Sequence, residues 1–84
     1  MDMIFITFRS ITLAQRGERT LRTGGVDCAL MRTPKWMENK GCGYCLRLRA
    51  GNESRAVSLL ARDRVPYNKI YTQNTDGSLE ERSP

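Results

Sequence analysis

The segment from Tyr44 to Arg49 alternates strictly between two kinds of side chain, and this period of two most constrains what the chain can fold into. Apolar residues at 44, 46 and 48 share one face of an extended segment, whereas Cys45, Arg47 and Arg49 share the other. Such alternation is typical of a strand that packs one face on a core and exposes the other. We therefore predict a half-buried strand with Cys45 on its solvated side.

Two amphipathic stretches and three further strand-like runs surround this segment. Helix starts are indicated by small hydroxyl or amide residues that can cap the first turn, and helix ends by Gly or by Pro. The predicted elements are a strand at 3–8, a helix capped by Ser10 or Thr12 and ended by Gly24 and Gly25, a strand at 26–31, the strand at 44–49, a helix capped by Asn52 or Ser54 and ended by Val65 and Pro66, and a strand at 67–72.

The order of these elements, β-α-β-β-α-β, predicts an α+β ferredoxin-like plait. In this fold a four-stranded antiparallel sheet carries both helices on one face. A chain of 84 residues has room for one domain. We expect residues 1–72 to form it and the polar residues 73–84 to form a disordered tail. The residues expected to form the core are Ile4, Ile6, Leu46, Leu48 and Leu60.

Composition narrows the classes of function. A chain this short cannot enclose a deep active site, which favours a carrier or binding module over a self-sufficient enzyme. The 14 basic residues outnumber the 9 acidic ones, and the net charge of +5 favours acidic partners. No apolar run approaches the roughly 20 residues of a membrane span, and no signal peptide is recognisable. Three cysteines argue against a closed disulfide framework, so a reducing cytoplasmic setting is expected.

The run Gly41-Cys42-Gly43-Tyr44-Cys45-Leu46 holds two of the three cysteines. Because the chain has no histidine, triads that use histidine as a base are excluded, and covalent chemistry falls to the thiols. Cys42 lies between two glycines in a predicted loop, and cations close in sequence would lower its pKa. Cys45 is a possible resolving thiol. The residues predicted to help bind a thiolate or persulfide anion are Lys40, Gly41, Gly43 and Arg47.

Other uses of these residues remain open at this point. The pair Cys42 and Cys45 could form a small thiol-redox module, or two chains could share one four-cysteine zinc site, although one chain alone offers too few ligands for metal. Cys28 alternates with Val26 and Leu30 and is predicted to be a buried, inert core residue. RNA is a weak candidate partner, since the predicted third strand presents no aromatic side chain for base stacking.

Several of these residues resemble a known family. Residues 5–8, Ala14, Glu18 and Leu21, then Thr33-Pro34, then Gly41-Cys42-Gly43 leading into Leu46-Arg47, are similar to the selenium/sulfur carrier-like family of small bacterial proteins, formerly a domain of unknown function. The resemblance spans roughly residues 3–72. It implies that Cys42 carries sulfur or selenium as a persulfide or selenosulfide, passed from a donor protein to an acceptor protein, with no cofactor.

One alternative of a different class competes with the carrier. A ferredoxin-like sheet with one uncovered face often pairs with a second copy. The chain could therefore be a non-catalytic ligand-binding or regulatory module acting as a homodimer through the open face of the sheet. Phe5, Tyr67 and Tyr71 would supply its apolar contacts. Exposure of Cys42 is the property that separates the two hypotheses.

Overall fold

The computed structural model describes residues 2–33, 43–73 and 79–82. It confirms the predicted order of strands and helices and the ferredoxin-like plait. The elements are β1 (Met3–Phe8), α1 (Ile11–Thr23), β2 (Ala29–Arg32), β3 (Tyr44–Arg49), a single 3₁₀ turn (Ala50–Asn52), α2 (Glu53–Arg62), β4 (Ile70–Gln73) and β5 (Leu79–Arg82).

The strands form one sheet in the order β2-β3-β1-β4-β5, in which all neighbours are antiparallel. The first four strands are the predicted ones, and β5 extends the sheet beyond β4. In the central pair, Ile4 lies opposite Leu48 and Ile6 lies opposite Leu46. This register puts the apolar residues of both strands on one face, where the helices cover them.

The core lies between that face and the two helices. All five residues predicted for it are buried. α1 contributes Ala14 and Leu21, and α2 contributes Ala56 and Leu60, each at helical spacing. Among the residues with described burial, Phe8 is the largest side chain that is fully buried. The amphipathic pattern therefore placed both helices correctly on the same side of the sheet.

α1 begins where predicted, because the Ser10 hydroxyl accepts a hydrogen bond from the Leu13 N–H. At its other end the Val26 N–H donates to the Leu21 carbonyl, and the Gly25 N–H donates to the Arg22 carbonyl. These two bonds form a Schellman motif, which requires a left-handed residue that Gly25 supplies with φ of 84°. The Val26 N–H is therefore bonded within the end of the helix and does not pair with a strand. This is why β2 starts at Ala29 rather than at the predicted residue 26.

α2 ends in the same way with a different residue. The Val65 N–H donates to the Leu60 carbonyl and the Arg64 N–H donates to the Ala61 carbonyl. Here the left-handed position is held by Arg64, with φ of 56°. Arg64 is the one non-glycine residue with positive φ in the described part of the chain.

β4 also starts later than predicted, at Ile70 instead of residue 67. Thr7 faces two residues at once: its carbonyl accepts from the Asn68 N–H, while its hydroxyl accepts from the Lys69 N–H at 2.9 Å. Two residues opposite one is the arrangement of a β-bulge, which interrupts regular pairing. Alternation cannot reveal such a bulge, since its side chains still look like those of a strand.

The expectation of a disordered tail at residues 73–84 is wrong for two parts of that segment. Gln73 belongs to β4, and Leu79–Arg82 pairs with it as β5, with Tyr71 opposite Glu81. Glutamate is depleted in strands, so the sequence of β5 gives little sign of one. The strand forms because the edge of β4 offers unpaired backbone groups to a segment that follows closely in the chain.

Candidate functional site

Cys42, the predicted carrying residue, lies outside the described residues, as do Lys40 and Gly41. The structure does describe both anchors of the segment that contains it. Thr33 follows β2, Gly43 precedes β3, and the Thr33 N–H donates to the Gly43 carbonyl at 2.9 Å. Gly43 directly follows Cys42 in the sequence, so the structure describes the point at which the segment that contains Cys42 rejoins the sheet.

Several elements meet at this end of the sheet. Phe8, the last residue of β1, lies opposite Tyr44, so Arg9 follows at the level of Gly43. α1 starts here with Ser10 as its cap, and Asn68 is bonded to Thr7. We call this the cysteine end, defined by Arg9, Thr33, Gly43 and Tyr67.

The described charges at the cysteine end are positive. The Arg9 side chain is exposed, and the Arg32 guanidinium carbon lies 5.9 Å from the centroid of the Tyr44 ring. This is a cation–π distance. The first turn of α1 contains no acidic residue, so its N-terminal dipole adds to the positive potential. Sequence reasoning missed Arg9 and Arg32, because only strand pairing brings them to the end of the sheet where Gly43 lies.

Cys45 lies on the face away from the helices, as predicted, but not in solvent. Its exposed fraction is 0%, and it packs with Phe5 in a small apolar cluster. Met31 is directly opposite it on β2. The prediction of a solvated strand face is thus confirmed at Arg47 and Arg49, which are exposed, and is wrong at Cys45. A thiol is a small apolar group, and its neighbours on β1 and β2 decide its burial.

The environment of Cys45 opposes thiolate formation. Burial raises the pKa of its thiol, and the Thr33 hydroxyl and the Arg47 charge only partly offset this. Thr33 is itself 6% exposed, and its hydroxyl lies beside the thiol without a hydrogen bond of ordinary geometry. A high pKa keeps the sulfur in its less reactive form.

The sheet holds the backbone just before Cys45. Tyr44 begins β3, and the Gly43 carbonyl accepts from the Thr33 N–H, so both residues that precede Cys45 are held by the sheet. Cys45 can therefore reach another thiol only if its buried side chain leaves the cluster with Phe5.

Cys28 is buried as predicted, with an exposed fraction of 7%, and it contacts the main core. Burial raises the pKa of the Cys28 thiol, and nearby Arg22 partly offsets this shift. The Arg22 guanidinium donates to the Cys28 carbonyl at 2.7 Å, which fixes the backbone here. Both described cysteines are free thiols.

Arg47 is the one predicted binding residue, besides Gly43, that the structure describes. It is exposed on the face away from the helices, two residues from Arg49 on the same face. Gly43 is buried at the start of β3. Arg47 lies opposite Phe5, whereas Cys45 lies opposite Thr7, so Arg47 is one pleat further from the cysteine end.

No cluster of three acidic, cysteine or histidine side chains that could hold a metal occurs in residues 2–33 and 43–73. A zinc site shared between chains would need Cys42, which lies outside this part. Neither α1 nor α2 is long and apolar enough to cross a membrane, and they are the α-helices of the described ranges.

Comparison with known proteins decides the family. A family described as "Putative Se/S carrier protein-like" matches residues 3–72, which run from the start of β1 into β4. The chain belongs to this family. The match confirms the resemblance drawn from the residues around Cys42 and from the first helix. No curated protein and no solved structure matches the chain. The matched range runs from β1 into β4, and β5 lies outside it.

Proposed function

We propose that this Se/S carrier-like protein holds a transferable sulfur or selenium atom on Cys42. One observation carries the proposal: the other two thiols are buried and have raised pKa values, so neither is suited to attack a donor. Membership of the family supports the cargo. The positive charges of the cysteine end support an anionic sulfur at its position, since nearby cations favour thiolate and persulfide anions.

The transfer is written for sulfur as two exchanges. The Cys42 thiolate attacks the terminal sulfur of a donor persulfide, R–S–SH. The donor S–S bond breaks, the donor leaves as its thiolate R–S⁻, and Cys42 becomes Cys–S–SH. An acceptor thiolate then attacks the terminal sulfur in the same way, which returns Cys42 to its thiolate. Neither step consumes an oxidant, a reductant or a cofactor, and each partner must reach the cysteine end.

We propose a limited role for Cys45. It would resolve a persulfide on Cys42 only after its thiol leaves the cluster with Phe5. Such a step would be slow relative to transfer to an external thiol, because the buried sulfur is mostly protonated. Free thiols at residues 28 and 45 are in keeping with a reducing cytoplasmic setting.

The proposal is tested by intact mass after incubation with a cysteine desulfurase and cysteine, followed by mapping of the modified residue. The parent should gain mass in steps of one sulfur atom, and Cys42→Ser should gain none while keeping its circular dichroism spectrum. Cys45→Ala and Cys28→Ala are the matched controls, and both should load like the parent. Loading of Cys42→Ser at the parental rate contradicts the assignment.

The homodimer remains a second proposal, which the open face of the sheet supports. Met3, Met31 and Tyr71 are half-buried there around Phe5 and Cys45. Sedimentation equilibrium measures the oligomeric state directly. A dimer that Met31→Glu dissociates, and that Arg19→Glu on α1 leaves intact, would place the interface on this face. A monomer at all concentrations contradicts it.

A further inference from the structure

A groove of about 320 Å³ opens at the cysteine end, between the first turn of α1 and the segment before β4. Its lining residues are Arg9, Leu13, Pro66 and Tyr67. We call it the Arg9 groove. Three of the four lining side chains present apolar bodies, and the fourth presents a guanidinium. Leu13 and Tyr67 pack on the core beneath, so the floor of the groove is fixed.

Pairing of the strands puts this groove at the same end of the sheet as Gly43. Arg9 follows Phe8, which lies opposite Tyr44, and Gly43 precedes Tyr44. On the other side, the bulge at Thr7 holds the chain that leads back to Tyr67. A molecule seated in the groove therefore lies at the same end of the sheet as Gly43, the residue that follows Cys42 in the sequence.

The charge of the groove is not neutralised within the described chain. Arg9 forms no ion pair there, and α1 offers no acidic residue in its first turn. The described acidic side chains are occupied or placed elsewhere: Glu18 pairs with Arg22, and Asp63 accepts from Thr20. An arginine beside apolar walls fits a carboxylate that follows an apolar side chain.

The apolar surface continues onto the start of α1. Ile11 is 42% exposed, and it is the one large apolar side chain so exposed among the residues with described burial. It lies in the same helical turn as Leu13. Apolar contact next to an unpaired cation is the composition of a protein-docking site rather than of a solvated helix end.

We infer that the Arg9 groove docks a segment of the partner protein that presents an apolar side chain next to a carboxylate. This inference rests on the proposed function, because it names where the donor or acceptor of Cys42 binds. The apolar side chain lies on Leu13, Pro66 and Tyr67, and the carboxylate accepts from the Arg9 guanidinium. The partner is thereby held at the end of the sheet where Gly43, the residue after Cys42 in the sequence, precedes β3.

The experiment uses the full chain, labelled with ¹⁵N, and an acetylated hexapeptide of alternating leucine and glutamate as the probe. Amide shifts should concentrate at Arg9, Leu13 and Tyr67. Arg9→Glu should weaken binding at least about tenfold, the effect of losing one hydrogen bond to a charged group. Arg19→Glu on α1 makes the same change in net charge and should weaken it no more than about twofold.

Four results overturn the inference. Equal loss in the two charge-reversed variants shows attraction to net charge alone. Equal binding of a leucine–glutamine hexapeptide shows that the Arg9 groove does not recognise a carboxylate. Amide shifts at Arg47 and Arg49 show that the peptide binds the open face of the sheet and not the groove. Shifts at the groove with a hexauridylate probe, and none with the peptide, show that the groove binds a nucleic acid.

A separate measurement distinguishes this failure from failure of the proposed function. Glutathione persulfide is a small donor that needs no docking segment, so loading of the parent from it measures the carrier role without the groove. If the parent does not load at all, the carrier role is wrong, and the peptide titration still decides the groove. If the parent loads but the peptide does not bind, the carrier role stands alone.

Discussion

Gly17 shows how a single residue sets the distance between helix and sheet. A Cβ built at this position would lie 2.9 Å from the Phe8 ring and 3.2 Å from a Leu46 methyl group. Phe8 and Leu46 are fully buried and have no room to retreat. The absence of a side chain at residue 17 therefore lets α1 approach β1 and β3 closely.

Gly17→Ala should destabilise the protein. Overpacking costs about 1–3 kcal/mol, and the better helix propensity of alanine returns about 1 kcal/mol. We expect a net loss of up to about 2 kcal/mol in the free energy of unfolding by urea. Gly51→Ala is the matched control, because a Cβ there meets nothing within 4 Å. A parental stability for Gly17→Ala would show that Phe8 can shift.

At the scale of elements, the two helices end in the same hydrogen-bond motif, but a different residue holds the left-handed position in each. Gly25 and Arg64 hold equivalent left-handed positions, but only glycine does so without steric cost. In both motifs a buried valine, Val26 or Val65, follows and packs into the core. The second helix end therefore carries strain that the first does not.

Arg64→Gly should raise the free energy of unfolding by about 0.5–1 kcal/mol, since relief of the left-handed strain outweighs the greater freedom of glycine in the unfolded chain. Gly25→Ala makes the opposite change at φ of 84° and should lose about 1–2 kcal/mol. Chemical denaturation of both variants measures the change in the free energy of unfolding for each. Destabilisation by Arg64→Gly would mean that the arginine side chain makes contacts worth more than the strain.

The helices are also joined by a titratable contact. The Thr20 hydroxyl donates to the Asp63 carboxylate at 2.9 Å, and this bond, with Arg62, lowers the pKa of Asp63 below 3.8. A lowered folded pKa gives stability that is present above the unfolded value and is lost as pH falls through the folded one. Asp63→Asn should therefore lose less stability than the parent below about pH 4. Asp2→Asn, away from the helices, is the control, and an acid profile for Asp63→Asn identical to the parent's contradicts the linkage.

At the scale of the whole molecule, β5 lies outside the range of the family match. The family match ends at residue 72, before β5 begins, and the main core draws on β1, β3, β4 and both helices. β5 pairs with β4 alone. The predicted domain of residues 1–72 should therefore fold without the rest of the chain.

A chain that ends at Gln73 should unfold in one cooperative transition, with a midpoint lowered by about 4–8 °C for each kcal/mol that β5 contributes. Thermal unfolding followed by circular dichroism measures it. Loss of cooperativity, or of the near-ultraviolet signal of the packed aromatics, would show that β5 is part of the folding unit. A full-length chain with Glu81→Pro is the matched test of strand pairing without truncation.

The sequence by itself determined the plait, because each helix and each core strand carries its own period of apolar residues, and those periods fix which face is buried. It also marked Cys28 as a core residue and Ser10 as a cap. Only the tertiary structure decided that Cys45 is buried. The alternation assigns this residue to solvent, but Phe5 and Met31 from neighbouring strands enclose it. It likewise decided that Arg9 and Tyr67, distant in the chain, share a groove at the cysteine end. Both depend on contacts between strands that are far apart in sequence, and a local pattern does not record these.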